Sequence, residues 1–474
     1  MRFGILISGN MLPDFPATIT IVLLFLLLSL SICSAEFLTG NRVILPIPPG
    51  NQSGFSGKAI FMETNGIFPP VRAGLSLDYH EGEEYYYCSL KVFSGGLVVW
   101  NSDEFSVFRP SERCILDFTV AGNLELKDSR GSIGWSTGTS GQGVQRLLLH
   151  KTGNLVLMTA KNHVKWQSFD FPTDILLWGQ KLYNSSKLTS FSGDQRTFYS
   201  FELQLDGAAL FLNSGHQKYS YWEFRPPESQ SIYFSKLGSS GLNFFDKNSK
   251  ISGNFTPDIP GPIKLLALAK NGNLGFYRYS KMKRKFECVY QVLMGPCNMP
   301  LTCGDYQACT LYNSCSCMPF LRPHNDLSSC ISGEFSSDFC HNGSTEMVKL
   351  EGFTTILRTN SIITTSSMDI CVKMCAGNCS CAAALYSYSP NSECFHYGLV
   401  GGVKQVRGER GLVYFVKAPR GIVKGCYQSS SLRPRLLIFS SVVEGVVLVM
   451  ILGGFMYWFF VIRKRKKDLA GERS

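Results

Sequence analysis

Two stretches of this chain, Gly122 to Trp135 (GNLELKDSRGSIGW) and Gly153 to Trp166 (GNLVLMTAKNHVKW), constrain its fold more than anything else in it. Each opens on Gly-Asn-Leu, alternates apolar residues and closes on a Trp at the same spacing, and the copies lie 31 residues apart. Self-similarity of this kind marks a repeated supersecondary unit, because one short β element cannot bury its apolar face alone. Leu97-Val98-Val99-Trp100 ends an earlier, degraded copy, so Trp recurs at 100, 135 and 166. Three copies predict three small sheets with the Trp side chains packed inside. The 45 Gly and 21 Pro suit many short strands and turns better than long helices.

Seventeen Cys would be a liability in a reducing compartment and point to disulfides. The apolar run Ile19 to Ile32, after Arg2 and before Cys33-Ser34-Ala35, reads as a signal peptide over 1–35. Leu436 to Ile462 is long and apolar enough for a tilted membrane helix, and Arg463-Lys464-Arg465-Lys466-Lys467 follows it. The positive-inside rule then predicts a single-pass type I protein of the plasma membrane, with an extracellular N-terminal region and a cytoplasmic tail over 463–474. The formal charge of +11 permits an acidic polysaccharide or lipid partner, and an extracellular address argues against nucleic acid.

The segment Trp166-Gln167-Ser168-Phe169-Asp170-Phe171-Pro172-Thr173-Asp174, continued by Leu176-Leu177 and Gly179-Gln180-Lys181-Leu182, resembles the end of the bulb-type (G-type) lectin domain of plant S-locus glycoproteins and S-receptor-like kinases. The resemblance implies a mainly β architecture, in which tandem β-prisms precede a disulfide-rich EGF-like module, a small α+β PAN/apple domain and a single C-terminal membrane helix. The lectin domain is expected over 36–182. A second, worn lectin-like domain follows over 183–292, where Gly272-Asn273-Leu274 reopens the repeat signature. Mannose lectins of the family read Gln-x-Asp-x-Asn-x-Val-x-Tyr at each sugar site. The matching positions here are Thr119, Ala121, Asn123, Glu125 and Lys127, then His150, Thr152, Asn154, Val156 and Met158. Asn123 and Asn154 are the candidate carbohydrate contacts, but loss of the acidic acceptor and of the Tyr hydroxyl favours their reading as turn residues that fix the hairpins.

From Cys297 the composition changes. The run Cys297, Cys303, Cys309, Cys315, Cys317 and Cys330 resembles the family's EGF-like module (293–331), and zinc is disfavoured without tight C-x2-4-C pairs. Cys371, Cys375, Cys379, Cys381 and Cys394 resemble the PAN/apple domain (340–418). The resemblance implies the pairs Cys297 with Cys309, Cys303 with Cys315, Cys317 with Cys330, Cys371 with Cys394 and Cys375 with Cys381, and it joins Cys340 to Cys379. Cys88 is then left for Cys114, and Cys288 for Cys426. Residues 419–435 form a stalk before the membrane helix over 436–462. Sequons at Asn51, Asn184, Asn254 and Asn342 are expected to carry glycan, while Asn378 is pressed between cysteines.

Catalysis finds no support. Gly134-Trp135-Ser136-Thr137-Gly138 fits the nucleophile elbow but continues into a loop composition, the seven His are scattered, and no P-loop occurs. No cofactor or metal is implied. A Gly-rich loop, catalytic Asp and Mg²⁺ motif of a kinase are also missing from the sequence, so the expected protein is a kinase-less receptor-like glycoprotein. It would recognise an extracellular glycan, peptide or protein ligand, with a receptor kinase as co-receptor through the membrane helix, where Glu444 beside Ser441 and Gly445 is a candidate contact. The alternative is structural adhesion between wall polysaccharide and membrane. The basic run Arg278, Lys281, Lys283, Arg284 and Lys285 reads as a charge-protected hairpin edge or as a contact for acidic wall polysaccharide such as pectin.

Overall fold

Short alternating runs bounded by Gly-rich turns can bury themselves only by closing several sheets on one another, and this chain does so twice. The structure, a computed structural model, describes residues 36–48, 56–64, 69–79, 85–104, 107–191, 197–226, 231–259, 261–304, 306–321, 330, 345–359, 362–364, 367–388, 392–408, 411–420 and 450–463. It divides into two compact units, Met1–Met294 and Gly295–Ser474.

The first unit begins with three leading strands, β1 (Glu36–Leu38), β2 (Arg42–Pro46) and β3 (Ser56–Glu63). Three antiparallel meanders follow: β4 (Val71–Tyr79), β5 (Tyr86–Ser94) and β6 (Leu97–Asn101); β7 (Arg113–Phe118), β8 (Leu124–Lys127) and β9 (Ile133–Ser136); β10 (Val144–Leu149), β11 (Leu155–Thr159) and β12 (Val164–Gln167). Each leading strand completes one meander in reverse order, β3 on β4, β2 on β7 and β1 on β10, giving a prism of three four-stranded sheets. Alternation supplies the core: Leu124 and Leu126 point inward and are fully buried, while Glu125 and Lys127 point out. A β-bulge interrupts the second and third strands of every meander, after Val92, Leu126 and Leu157, and opposite these residues stand Trp100, Trp135 and Trp166. The three indoles meet edge-on, with centroids 5.8 to 6.0 Å apart. Phe171 stacks on Trp166 at 5.8 Å and its carbonyl accepts the Trp100 indole N–H at 2.9 Å, closing the end of the prism. Cys88 and Cys114 are bonded across two of the sheets.

The same plan repeats. Leading strands β13 (Ile175–Leu177), β14 (Lys181–Tyr183) and β15 (Lys187–Phe191) precede meanders β16 (Thr197–Gln204), β17 (Gly207–Ser214), β18 (Gln217–Phe224); β19 (Phe234–Leu237), β20 (Leu242–Phe245), β21 (Ile251–Phe255); and β22 (Leu265–Leu268), β23 (Leu274–Ser280), β24 (Lys285–Gln291). Again the donation is reversed, β15 on β16, β14 on β19 and β13 on β22. Residues 175–182, assigned from sequence to the first domain, thus pair inside the second prism, and the divide falls between β12 and β13. Strands of three residues carry no readable alternation, which is why the sequence reading sets this boundary too late.

In the second unit, strands β25 (Gln307–Cys309) and β26 (Cys315–Cys317) form a hairpin, held by the bonds Cys297–Cys309, Cys303–Cys315 and Cys317–Cys330. A five-stranded sheet of β27 (Thr345–Leu350), β29 (Ile362–Thr364), β30 (Ala383–Ser387), β31 (Glu393–Tyr397) and β33 (Leu412–Pro419) carries helix α1 (Met368–Gly377). The remaining strands, β28 (Phe353–Thr355) and β32 (Val403–Gln405), extend the β25–β26 hairpin into a second sheet. Ser367 caps α1 by accepting from the Asp369 N–H at 3.2 Å, and the buried Cys371 and Cys375, one turn apart, are tied to Cys394 and Cys381. The ammonium of Lys417, itself buried, donates to the Asn378 carbonyl at the C-terminal end of α1 at 2.8 Å, where a cation complements the helix dipole. Tyr306 Oη donates to the Lys417 carbonyl at 2.9 Å and so ties the cysteine-rich hairpin to this sheet. Cys379 is disulfide-bonded, and its expected partner Cys340 lies outside the described residues.

Residues 450–463 are helical with exposed apolar side chains. No helix among the described residues is long and apolar enough to cross a membrane. The stretches 1–35, 421–449 and 464–474, which include the expected signal peptide and most of the expected membrane span with Ser441 and Glu444, lie outside the described residues.

Candidate functional site

The Gly-Asn-Leu hairpins bring the candidate residues Asn123 and Asn154 to the mouth of two sheets, and the structure gives both side chains the same employment. At each, a glycine in left-handed backbone (Gly122, φ 85; Gly153, φ 94) turns the chain, and the Asn that follows is 8% exposed. Asn123 Oδ1 accepts from the Thr139 N–H and the Thr137 hydroxyl, both at 3.0 Å, and its Nδ2 donates to Glu125 at 2.9 Å. Asn154 Oδ1 accepts from the Phe169 N–H at 3.2 Å and the Ser168 hydroxyl at 3.3 Å, and its Nδ2 donates to Gln167 at 2.8 Å. In the second prism Asn273 is built in alike: Oδ1 accepts from the Leu293 N–H at 3.0 Å and Nδ2 donates to the Leu293 carbonyl at 2.9 Å. In all three places the amide clamps the hairpin to the chain leaving the third strand of its sheet. An amide so engaged has little left to offer a sugar hydroxyl.

The outward faces around these clamps differ. On the sheet containing Asn123, Asp117 lies opposite Glu125 and takes Arg42 Nε at 2.8 Å and Lys127 Nζ at 2.6 Å, with Glu125 3.9 Å from the same ammonium. Burial by itself would raise the Asp117 pKa, but the hydrogen bonds from Lys127 and Arg42 outweigh it and hold the carboxyl below its usual range. This face is charged and internally satisfied. On the sheet containing Asn154 the neighbours are apolar: Val156 is buried and lies opposite Leu148, and Met158 lies opposite Arg146, which pairs with Glu36 at 3.3 Å. The third face is sealed. Leu177, Leu265, Ala267, Tyr277 and Phe286 pack into the core of the first prism, and a Cβ on Gly95 would lie 2.7 Å from the Tyr279 ring.

Cys288, opposite Tyr277, is a free exposed thiol and not the partner of Cys426, which lies outside the described residues. Burial pushes its pKa up, against hydrogen bonds with Tyr277 and the Tyr290 carbonyl. The sequence left this cysteine over, and nothing in its spacing revealed that its neighbourhood is the seam between two prisms. Cys/His groupings with metal-like spacing, such as Cys371, Cys394 and His396, have their sulfurs in disulfides and so offer no thiolate pair. Asn184, Asn254 and Asn378 are exposed, with Asn378 Oδ1 accepting from the Ser380 N–H at 3.0 Å, whereas Asn51 and Asn342 lie outside the described residues.

Comparison with known proteins accords with this geometry. Residues 97–201 match the model of the D-mannose binding lectin family and residues 340–418 that of the PAN domain. A PAN domain-containing protein of Arabidopsis thaliana is 26% identical over 282 residues, covering 56% of each chain. A G-type lectin S-receptor-like serine/threonine-protein kinase of the same plant is 26% identical over 400 residues, covering 78% of this chain and 50% of the kinase. The chain spans about half the length of these curated relatives. Among solved structures, a monomeric monocot mannose-binding lectin of Gastrodia elata aligns with 28% of this chain and 95% of its own at 18% identity, with a TM-score of 0.17, too low to argue from.

Proposed function

We propose that this chain, which carries the lectin and PAN domains of the G-type lectin/PAN family, is the recognition part of a cell-surface receptor-like glycoprotein. Its extracellular region would take a glycan, peptide or protein ligand and pass the event to a receptor kinase through a membrane helix over 436–462. The observation that carries this reading is the combination, in one chain, of a lectin-type domain, a PAN domain and disulfides in both units, a set suited to binding in an oxidising compartment. The engaged amides of Asn123 and Asn154 support a ligand surface away from the Gly-Asn-Leu hairpins. The sequons at Asn184 and Asn254, both exposed, fit the same address.

The test uses the full chain with a C-terminal tag in plant protoplasts. External protease and membrane-impermeant biotin are expected to reach the lectin and PAN regions while the tag stays protected, and proximity labelling from the tag is expected to mark a receptor kinase. A tag accessible from outside, or retention of the chain in the wall fraction with no receptor kinase labelled, would overturn it. The second outcome is what structural adhesion predicts, and the basic tip of the β23–β24 hairpin is the observation that favours that alternative.

A further inference from the structure

The hairpin β23–β24 has two dissimilar faces. Cross-strand pairing sets Tyr279 beside Phe286, their rings 5.2 Å apart, on the face that packs toward Gly95 of the first prism. Arg278 with Glu287, and Ser280 with Lys285, occupy the opposite face. The hairpin is therefore anchored by aromatic burial while its charged face looks outward. Its tip is cationic: Lys281, Lys283, Arg284 and Lys285 are exposed, and Arg284 holds the turn at φ 51. Glu287 is already taken by Lys283 at 2.8 Å. Among the described residues no carboxylate lies within ion-pair distance of Lys281, Arg284 or Lys285.

Leu177, Leu265 and Tyr277 face the first prism, and the next residues along, Trp178 and Lys264, stand beside one another and are exposed. The Trp178 N–H donates to the Lys264 carbonyl at 2.9 Å, and Lys264 Nζ lies 5.6 Å from the centre of the Trp178 ring. Trp178 is 45% exposed, an indole that a globular domain would ordinarily bury. Three inter-strand gaps of about 4.8 Å separate its strand from β24, and the cationic tip lies a few residues further along the strand direction, so an exposed ring and a bank of cations lie roughly 15–20 Å apart at one end of the sheet.

We propose that this end of the sheet binds an acidic polysaccharide: Trp178 stacks on the apolar face of a sugar ring, and Lys264, Lys281, Arg284 and Lys285 receive the carboxylates of neighbouring uronate residues. The ring supplies what charge alone does not, a preference for sugar over other polyanions. The cations supply attraction that weakens with salt. The inference gives a ligand class to the extracellular reading above and rests on that reading for its biological setting, but the binding itself is testable without it.

Polygalacturonate, its fully methyl-esterified form and dextran sulfate are titrated against the purified full chain over a range of ionic strength. Polygalacturonate is expected to bind and its ester not to. The triple variant Lys281→Glu, Arg284→Glu, Lys285→Glu is expected to bind about tenfold more weakly with a shallower salt dependence. Trp178→Ala is expected to bind roughly threefold more weakly with the salt dependence unchanged. Lys247→Glu with Lys250→Glu, exposed on a turn of another sheet, should bind as the parent does. Equal binding of the ester, dextran sulfate bound as tightly as polygalacturonate, or either binding variant indistinguishable from the parent overturns the proposal. If polygalacturonate binding holds while the chain is absent from the cell surface, the receptor reading falls and this one stands. The converse result separates them the other way.

Discussion

The two prisms share one strand plan and fill it differently. In the first, the positions opposite the bulges are Trp100, Trp135 and Trp166; in the second the matching positions are Trp222, Gly253 and Tyr290. The space vacated at Gly253 is used twice over. Phe255, two residues on, packs against Trp222 at 5.9 Å and Tyr290 at 6.1 Å, and a Cβ on Gly253 would lie 2.5 Å from Pro226. The first prism carries the bond Cys88–Cys114, whereas the second carries the free thiol of Cys288. What persists through both is the set of bulges and the Asn clamp, both of which act on the backbone. Topology here follows backbone devices, and the aromatic filling can drift while they stay.

That contrast breaks first at its centre. Trp166→Ala is expected to destabilise the first prism by about 3–5 kcal/mol, and Tyr290→Ala at the matching place by roughly half that, because Phe255 already shares the load. Hydrogen exchange followed strand by strand reads both, and equal losses would dissolve the distinction. Next, joint replacement of Cys88 and Cys114 by Ala, opening a loop of 26 residues, should lower the first prism by about 3 kcal/mol and leave exchange in the second untouched. Third, Asn123→Ala, Asn154→Ala and Asn273→Ala should each remove about 1–3 kcal/mol, with Asn273 at the upper end because it is 3% exposed and bonds only to backbone. A neutral Asn154→Ala in thermal melts would return that residue to candidacy as a sugar contact.

The smallest effect lies at the seam. Burial first, then the carboxylates of Asp174 and Asp103, push the Glu104 carboxyl up to about 7 from an ordinary 4.5, and its Oε1 is buried without a hydrogen bond. Below its ordinary value the group is protonated folded or unfolded and costs nothing. Between that value and about 7 only the unfolded chain ionises, so stability falls as pH rises and stays lowered above 7. Glu104→Gln should therefore stabilise the fold by about 1–2 kcal/mol in mildly alkaline buffer after allowance for partial exposure, read as a higher melting temperature, and change nothing in strong acid. A gain of equal size in acid would place its origin in packing.

The sequence disclosed the parts of this molecule that repeat locally. Trp100, Trp135 and Trp166 announced a shared core because their spacing is set by hairpins closed within a few residues of each other. The cysteine bonds of the second unit were legible only through the resemblance to EGF-like and PAN/apple modules, since spacing alone does not choose among the possible pairings. What escaped was long-range. Ile175–Leu177 and Lys181–Tyr183 are three-residue strands whose partners lie in β22 and β19, and no periodicity in so short a run names a distant partner. The role of Asn123 was open because a turn asparagine and a ligand-binding one look alike until Thr139 is brought to it. Trp178 passed unnoticed inside the motif that revealed the family resemblance. Only the folded sheet shows that it is exposed beside Lys264.

The reversed donation of leading strands also governs the order in which the chain can become finished. Glu36 pairs with Leu148, so the first strand to leave a ribosome waits for the tenth, and the first prism stays open until its last meander is made. The second prism repeats the wait, with β13 exposed until β22 arrives. During synthesis each prism thus presents unpaired apolar strand edges for most of its own length, which makes a nascent chain of this kind a client for folding helpers and a hazard when truncated between Ile175 and Leu265.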